Sequence, residues 1–283
     1  MAKILDGKEV GKALKERVKE SAEQYREKGV TPKLVVLRVG EEKSSVAYEN
    51  AAKKVMESVS IDSDSVTLSE DSTTEDVIEA IEKLNKDDSV HGVIMMQPLP
   101  EQISRSEVSE KLDPRKDVDA LNPVNMGKLV EGNEEAMAPS TPAAVMEILK
   151  YYDYDLEGVE ATVIGSSPVV GKPMSIMLLN AGATVANTHG KTKDNRLHTM
   201  KSDIIVSATG ALHLVDDSYI PEGATVIDVG YGYKDGKPTG DVNYDVVESI
   251  AGAITPVPGG VGSVTTAVLA SQVVKAVGLL TGK

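Results

Sequence analysis

Two glycine loops hold the residues best placed to do chemistry. Gly165-Ser-Ser-Pro-Val-Val-Gly171-Lys-Pro173 lies between a β-type apolar run and a helical stretch. A loop so placed can seat a dinucleotide pyrophosphate on the free amides at a helix start. The spacing departs from G-x-G-x-x-G, with Ser167 where a second glycine would stand, and a strand–turn–helix that uses glycine only for packing has the same pattern. The run that should form the next strand ends Asn187-Thr188-His189-Gly190, followed by Lys191 and Lys193. It carries no carboxylate for a ribose hydroxyl, and the nearby cations favour NADP over NAD. A solvated loop with two lysines is the plain alternative. The second loop, Pro256-Val-Pro-Gly-Gly-Val-Gly262, joins two prolines to three glycines. It makes a stiff floor without side chains, against which a flat ligand or only another turn could lie.

Other chemistries find little support. Cysteine is absent, which excludes disulfides, thiolate nucleophiles and Cys-based metal sites and suits a reducing compartment, the cytoplasm. His91, His189, His198 and His213 are dispersed, so no metal pair is expected. Ser166 and Ser167 do not sit in G-x-S-x-G. The acidic stretch from Asp62 to Asp71 lacks calcium-loop spacing and reads as a solvated face.

The elements that must position these loops follow from periodicity. Val10, Leu14, Val18 and Ala22 predict an amphipathic helix from Gly7 to Gly29. Strands are expected at Lys33–Val39, Ser65–Leu68 and Val90–Met96. Helices are expected at Ser45–Ser58 and behind Thr73, which forms a capping pattern with Asp76. Turn formers run from Asp113-Pro114 to about Pro142. Alternation then restarts with a helix at Ala143–Tyr152, strands at Ala161–Ile164, Ala183–Thr188, Asp203–Ala208 and Ala224–Val229, and a helix at Lys172–Asn180. Val264–Leu280 closes the chain as an apolar helix. This is the signature of an α/β protein with parallel sheets. The 283 residues suffice for one large domain or two modest ones, at roughly 100–200 residues each. Acidic residues number 44 against 30 basic, a net charge of −14, which disfavours nucleic acid and anionic membranes as partners. No apolar run approaches the ~18 residues of a membrane span, and the first residues lack the apolar core of a secretory signal. Phe and Trp are absent, so the core must be aliphatic and Met-rich.

Six motifs occur in one order: Lys116-Asp-Val-Asp119, Asn122-Pro-Val-Asn-Met-Gly-Lys128, Thr141-Pro142, the Gly165 loop, Val226-Ile-Asp-Val-Gly230 and the Pro256–Gly262 loop. With the opening Ile4-Leu-Asp-Gly-Lys8, the chain resembles the methylenetetrahydrofolate dehydrogenase/methenyltetrahydrofolate cyclohydrolase family along nearly its whole length. The resemblance implies an N-terminal α/β substrate lobe (1–148 with 264–283), a C-terminal Rossmann-type lobe that binds NADP or NAD (149–263), a folate cleft between them, and a homodimer. It implies tetrahydrofolate one-carbon derivatives as substrates. Tyr48 would orient the ring system, and Asp119 would accept hydrogen bonds from the amino-pyrimidine edge, which offers N–H donors. Met95, Met96, Gln97 and the run Pro258, Gly259, Gly260, Val261, Gly262 would line the folate. Gly165, Ser166, Ser167, Gly190, Lys191 and the Tyr231 backbone would hold the cofactor.

Two positions depart from the family. Its Tyr-x-x-x-Lys, whose lysine serves the hydrolytic step, is here Tyr48 with Ala52. Lys53 comes one residue later, turned by about 100° on a helix. The family's Val-Gln-Leu-Pro-Leu-Pro is here Met95-Met96-Gln97-Pro98-Leu99-Pro100, which puts Met96 in the glutamine slot and Gln97 in the leucine slot, facing the other way on a strand. The expectation is a dehydrogenase with weak or absent cyclohydrolase activity. Three alternatives stand beside it: a bifunctional enzyme using Lys53 and Gln97 through a shifted register, a folate-binding relative without turnover, and a two-lobed oxidoreductase acting on an amino or hydroxy acid.

Overall fold

The computed structural model describes residues 1–282. The chain forms two compact units, neither continuous in sequence. The first comprises 12–138 and the residues from Thr266 onward, and the second comprises 1–11 and 139–265. The chain opens with β1 (Lys3–Ile4) and α1 (Gly7–Glu27). The four-residue stripe of Val10, Leu14, Val18 and Ala22 is buried, as an amphipathic helix requires. Gly29 at φ +78 ends α1, and the Val30 N–H turns back to the Tyr25 carbonyl.

In the first unit β2 (Lys33–Val39), α2 (Lys43–Ser58), β3 (Asp62–Leu68), α3 (Thr74–Lys86) and β4 (Gly92–Met95) alternate. The strands form a parallel sheet of order β3-β2-β4. Central β2 is apolar almost throughout and buried on nearly every residue, as a strand covered on both faces must be. The Thr73–Asp76 capping box forms, and Val77, Ile81 and Leu84 of α3 pack with Val35, Leu37 and Val93. Two short helices follow, α4 (Arg105–Lys111) and α5 (Pro123–Val130). The stretch expected to hold only turns therefore contains a helix: Asn122 caps it by accepting from Val124 N–H, and Pro123 sits where its missing N–H costs nothing.

The second unit adds α6 (Ser140–Tyr151), β5 (Glu160–Ile164), α7 (Gly171–Asn180), β6 (Thr184–Thr188), α8 (Arg196–Thr199), β7 (Ile204–Ser207) and β8 (Thr225–Asp228). A hairpin of β9 (Gly232–Lys234) and β10 (Lys237–Thr239), then α9 (Tyr244–Val247) and β11 (Ala253–Ile254), complete it. The last helix, α10 (Thr265–Thr281), belongs to the first unit from Thr266. The large sheet has order β1-β11-β8-β7-β5-β6 and every pair is parallel. Strand order reverses at β5, so the carboxyl ends of β5 and β7 border the crevice where open α/β sheets take ligands.

Grouped by backbone contacts, the chain divides differently from the expected lobes at two places. Residues 1–11 join the Rossmann-type unit because β1 pairs with β11, and Leu5 N–H donates to Ile254 O at 2.9 Å. Gly7 lies so close to the Pro256–Gly262 loop that a Cβ there would stand 2.0 Å from Gly260 O. The other boundary falls at Pro139 rather than at 148, because α6 belongs wholly to the second unit.

Two buried charged sites serve the fold. Glu49 of α2 meets Arg38 of β2, Nε to Oε2 at 3.0 Å, and also accepts from Ser65 of β3. Arg38 further donates to Gly40 O and Thr67 Oγ1. This network ties the inner face of α2 to the sheet. Asp228, at the end of β8, is 3% exposed, and burial together with nearby Asp241 pushes its carboxyl up to about 7.

Arg38→Met leaves the Glu49 carboxylate with only Ser65 and Lys53 and should cost about 3 kcal/mol in urea unfolding. The raised Asp228 carboxyl gives a pH signature. Its contribution is whole below the ordinary value near 3.8 and is lost as pH rises to about 7. The stability of the unaltered chain relative to Asp228→Asn should decline across that window and level off above it, as read by chemical denaturation.

Candidate active site

In the first unit the Lys116-Asp-Val-Asp119 motif divides its labour. Lys116 is buried, and its ammonium donates to the carbonyls of Leu84, Asn85 and Asp87 at 3.0, 3.0 and 2.8 Å. Asp117 is 1% exposed and accepts from Asn122 N–H at 2.7 Å and Asn125 Nδ2 at 3.1 Å. The segment runs along β4 through the Val93–Asp117 bridge. The first two residues of the motif are thus anchors, and half-buried Asp119 is carried beyond them at the sheet's carboxyl edge. Ala120 follows in the left-handed region at φ +53, where the chain turns into the Asn122 cap. In the sequence Asn122 and Asn125 stand only as letters of one motif. Their structural role depends on Asp117, Leu112 and Pro114 and has no local signal.

Tyr48 of α2 is half-buried. Burial and, beyond it, the Asp119 carboxylate push its phenol above the ordinary value of 10. These two side chains, singled out from different motifs, are therefore neighbours. Lys53 is not brought to them. It lies five residues on, about 140° around the helix, and its ammonium pairs with Glu49 Oε1 at 2.9 Å. It borders a charged depression with Arg26, Lys33, Lys54 and Asp64, which neither Tyr48 nor Asp119 lines. Ala52 is fully buried, and Met95 and Met96 are 6% and 9% exposed. β4 ends at Met95, so strand alternation does not govern the next two residues. Gln97 is half-buried, and its Nε2 is enclosed without a hydrogen-bond partner among the described residues.

In the second unit the Gly165 loop is built on close backbone approach. A Cβ on Gly165 would stand 2.2 Å from Ala208 O, and one on Gly171 would stand 2.0 Å from Gly165 O. Gly165 also takes φ +124. Ser167 Oγ accepts from Val170 N–H at 3.1 Å and Gly171 N–H at 3.4 Å, which starts α7. Ser167 thus folds the loop back onto the residues that open α7. Ser166 is half-buried beside it, and Asn187 Nδ2 donates to Gly165 O. β6 ends at Thr188, whose buried Oγ1 has no partner among the described residues. Gly190 and Lys191 are exposed just beyond it, with Lys191 N–H on His189 Nδ1. Tyr231 is exposed at the carboxyl end of β8, its hydroxyl 3.2 Å from that of Tyr233. The glycine cradle at the switch point and the helix start fit a dinucleotide.

The Pro256–Gly262 loop is held by Gly7, whose N–H donates to Gly259 O at 2.9 Å. Pro258 and Gly262 stay exposed, Gly259 is half-buried, and Gly260 and Val261 are buried. The opening Leu-Asp-Gly motif is thus the partner of this loop. The described residues contain no cluster of side chains suited to a metal ion, and no described helix is long and apolar enough to cross a membrane.

Comparison with known proteins matches both units. Residues 5–119 match the catalytic domain of tetrahydrofolate dehydrogenase/cyclohydrolase, and residues 139–280 match its NAD(P)-binding domain. The bifunctional protein FolD of Staphylococcus haemolyticus is 47% identical over 266 residues, covering 94% of this chain and 93% of that protein. The FolD structure from Campylobacter jejuni superposes with a TM-score of 0.95 at 41% identity, covering 98% of both chains. The Trypanosoma brucei enzyme, solved with NADP and an inhibitor, gives 0.90 at 33% identity over 97% of both. Motifs, architecture and relatives agree, and the chain belongs to the tetrahydrofolate dehydrogenase/cyclohydrolase family.

Proposed function

We propose that this chain is an NADP-dependent methylenetetrahydrofolate dehydrogenase whose methenyltetrahydrofolate cyclohydrolase activity is weak or absent. The observation that carries the reading is at α2: a buried Ala52 fills the slot of the family's lysine, and Lys53 is spent on Glu49. Met96 fills the glutamine slot and is buried as well.

The two family reactions make different demands. Dehydrogenation expels a hydride from the methylene bridge, driven by the adjacent nitrogen lone pair, and leaves a stabilised methenyl cation. It needs alignment and little proton transfer. The Asp119 carboxylate would accept from the pterin's N–H edge, and Tyr48 would orient the ring. The Tyr48 phenol is held above its ordinary range, so it stays protonated at neutral pH and acts as a donor, not a base. The dinucleotide, when bound, supplies the hydride acceptor. Gly165, Ser166 and the start of α7 would hold its diphosphate. Lys191 and Lys193, with no carboxylate at the end of β6, suit a 2′-phosphate. Hydrolysis needs an activated water and a proton carrier. No lysine stands at position 52 to serve that step, and Met96 fills the slot of the glutamine that would hold it.

One observation favours the bifunctional reading: Gln97 Nε2 is enclosed without a hydrogen-bond partner among the described residues. The Lys53–Glu49 pair weighs against it. The enzyme would work in the cytoplasm as a homodimer, which is what the family resemblance implies and what a cysteine-free chain suits.

A paired assay tests this. Methylenetetrahydrofolate should reduce NADP in preference to NAD, while added methenyltetrahydrofolate should lose its absorbance only at the buffer rate. Hydrolysis well above that rate overturns the reading. Ala52→Lys combined with Met96→Gln should then raise hydrolysis, toward the ~10²–10⁴ that acid–base assistance is worth. A folded double variant that gains nothing would show that the loss lies elsewhere.

A further inference from the structure

Beyond the residues that would touch folate or dinucleotide, the second unit holds two carboxylates with no role in the family chemistry above. Asp241 is fully buried and Asp228 is 3% exposed. Asp241 Oδ2 accepts from Thr209 N–H at 2.7 Å, Gly210 N–H at 3.1 Å and the Ser207 hydroxyl at 3.3 Å. Asp228 Oδ1 accepts from Gly230 N–H at 2.9 Å and Asp241 N–H at 3.0 Å, and its Oδ2 from Val242 N–H at 2.9 Å. All these partners are N–H or hydroxyl groups, and none is a cation. The pair forms a latch: Asp228, at the end of β8, grips the backbone of 241–242, and Asp241 grips the loop that leaves β7.

That loop is one lip of the switch-point crevice. Ala208 N–H donates to Ile164 O at 2.8 Å, and Ala208 O lies against Gly165. The glycines beside the latch have no spare room. A Cβ on Gly230 would stand 2.2 Å from Asp241 Oδ1, and one on Gly240 would stand 2.0 Å from Asp228 Oδ2.

The cost of this arrangement shows what it does. Two carboxyl groups taken out of water without a counter-charge are costly unless hydrogen bonds or a proton offset the burial. Gly210 is exposed and Thr209 half-buried, so water could satisfy their N–H groups. The carboxylate is not needed to rescue a stranded donor. What it adds is a fixed position for two successive amides at the mouth of the crevice. Asp241 Oδ1 has no partner among the described residues, so the grip on the loop falls to Oδ2 alone.

We infer that Asp241, anchored by Asp228, is a positioning residue for the dinucleotide. It sets the Ala208–Gly210 lip in its cofactor-accepting form before the cofactor arrives. The inference rests on the reading of this crevice as the NADP site.

Two measurements test it. The first uses the unaltered chain without cofactor: the Thr209 and Gly210 amides should exchange with deuterium about a hundred-fold more slowly than in an unstructured peptide, by NMR. Exchange at the unstructured rate means the lip is not pre-set and overturns the inference. The second is calorimetric titration with NADP, paired with the KM for the folate substrate. Asp241→Ala should raise the NADP dissociation constant about ten-fold, the worth of one or two hydrogen bonds, with the folate KM unchanged. Asp241→Asn, which keeps one acceptor oxygen, should recover most of the loss. NADP binding unchanged in folded Asp241→Ala assigns the latch to stability alone and overturns the inference. If Asp241→Ala does not fold, the exchange measurement decides. If the unaltered chain binds neither nicotinamide dinucleotide, the cofactor reading itself fails and the inference falls with it, an outcome distinct from selective loss in the variant.

Discussion

The second unit depends on one steric constraint: at the switch point, backbone must touch backbone. Gly165 lies against Ala208 O, and Gly171 against Gly165 O, at distances no Cβ tolerates. From this contact follow the positive φ at Gly165, the seating of α7 directly on the end of β5, and the closeness of the loops after β5 and β7. Side chains can then act as fasteners. Ser167 ties its loop to Val170, Asn187 donates to the Gly165 carbonyl, and Asp241 fixes the facing loop. The first unit is organised by charge. Lys116 gathers three carbonyls and Asp117 several amides, and Asp119 is carried out on that rigid base.

Where the controlling interaction is local, the sequence was readable. The Thr73–Asp76 box announces α3 because its two partners are three residues apart, and the stripe of α1 announces a buried face because the helix repeats it. α5 was not readable, because Asn-Pro is as much a turn signal as a helix start, and the choice depends on Leu112, Pro114 and Asp117 packed around the Asn residues. β1 and β11 have two residues each and gain strand character only from pairing with each other and with β8. Of the site, Tyr48, Asp119 and the glycine loops stood out through motif order, and the units that carry them match the family. Glu49 did not stand out: an acid on an amphipathic helix reads as solvated until Arg38 of the neighbouring strand is seen against it.

The departures at α2 make physical sense as a set. With Ala52 buried and small, the inner face of the helix carries its charge one turn away, at Glu49. Lys53 follows that charge instead of the tyrosine. A cation beside Tyr48 would face the Asp119 carboxylate, and without it the Asp119 charge acts on the phenol unopposed by any lysine of that helix.

The interleaving of the two units bears on how the polypeptide matures. β1 is made before every other described strand, yet its neighbour β11 follows them all in the chain. The first unit likewise waits for α10, the final helix, although its own strands are complete by Met95. The second unit cannot close until β11 has followed the whole of 12–138, and the first waits for α10, which is made after the second unit's residues end. Such late, long-range closures slow folding and leave strand edges bare in the nascent chain, so this architecture ties completion of the second unit to β11 and of the first to α10.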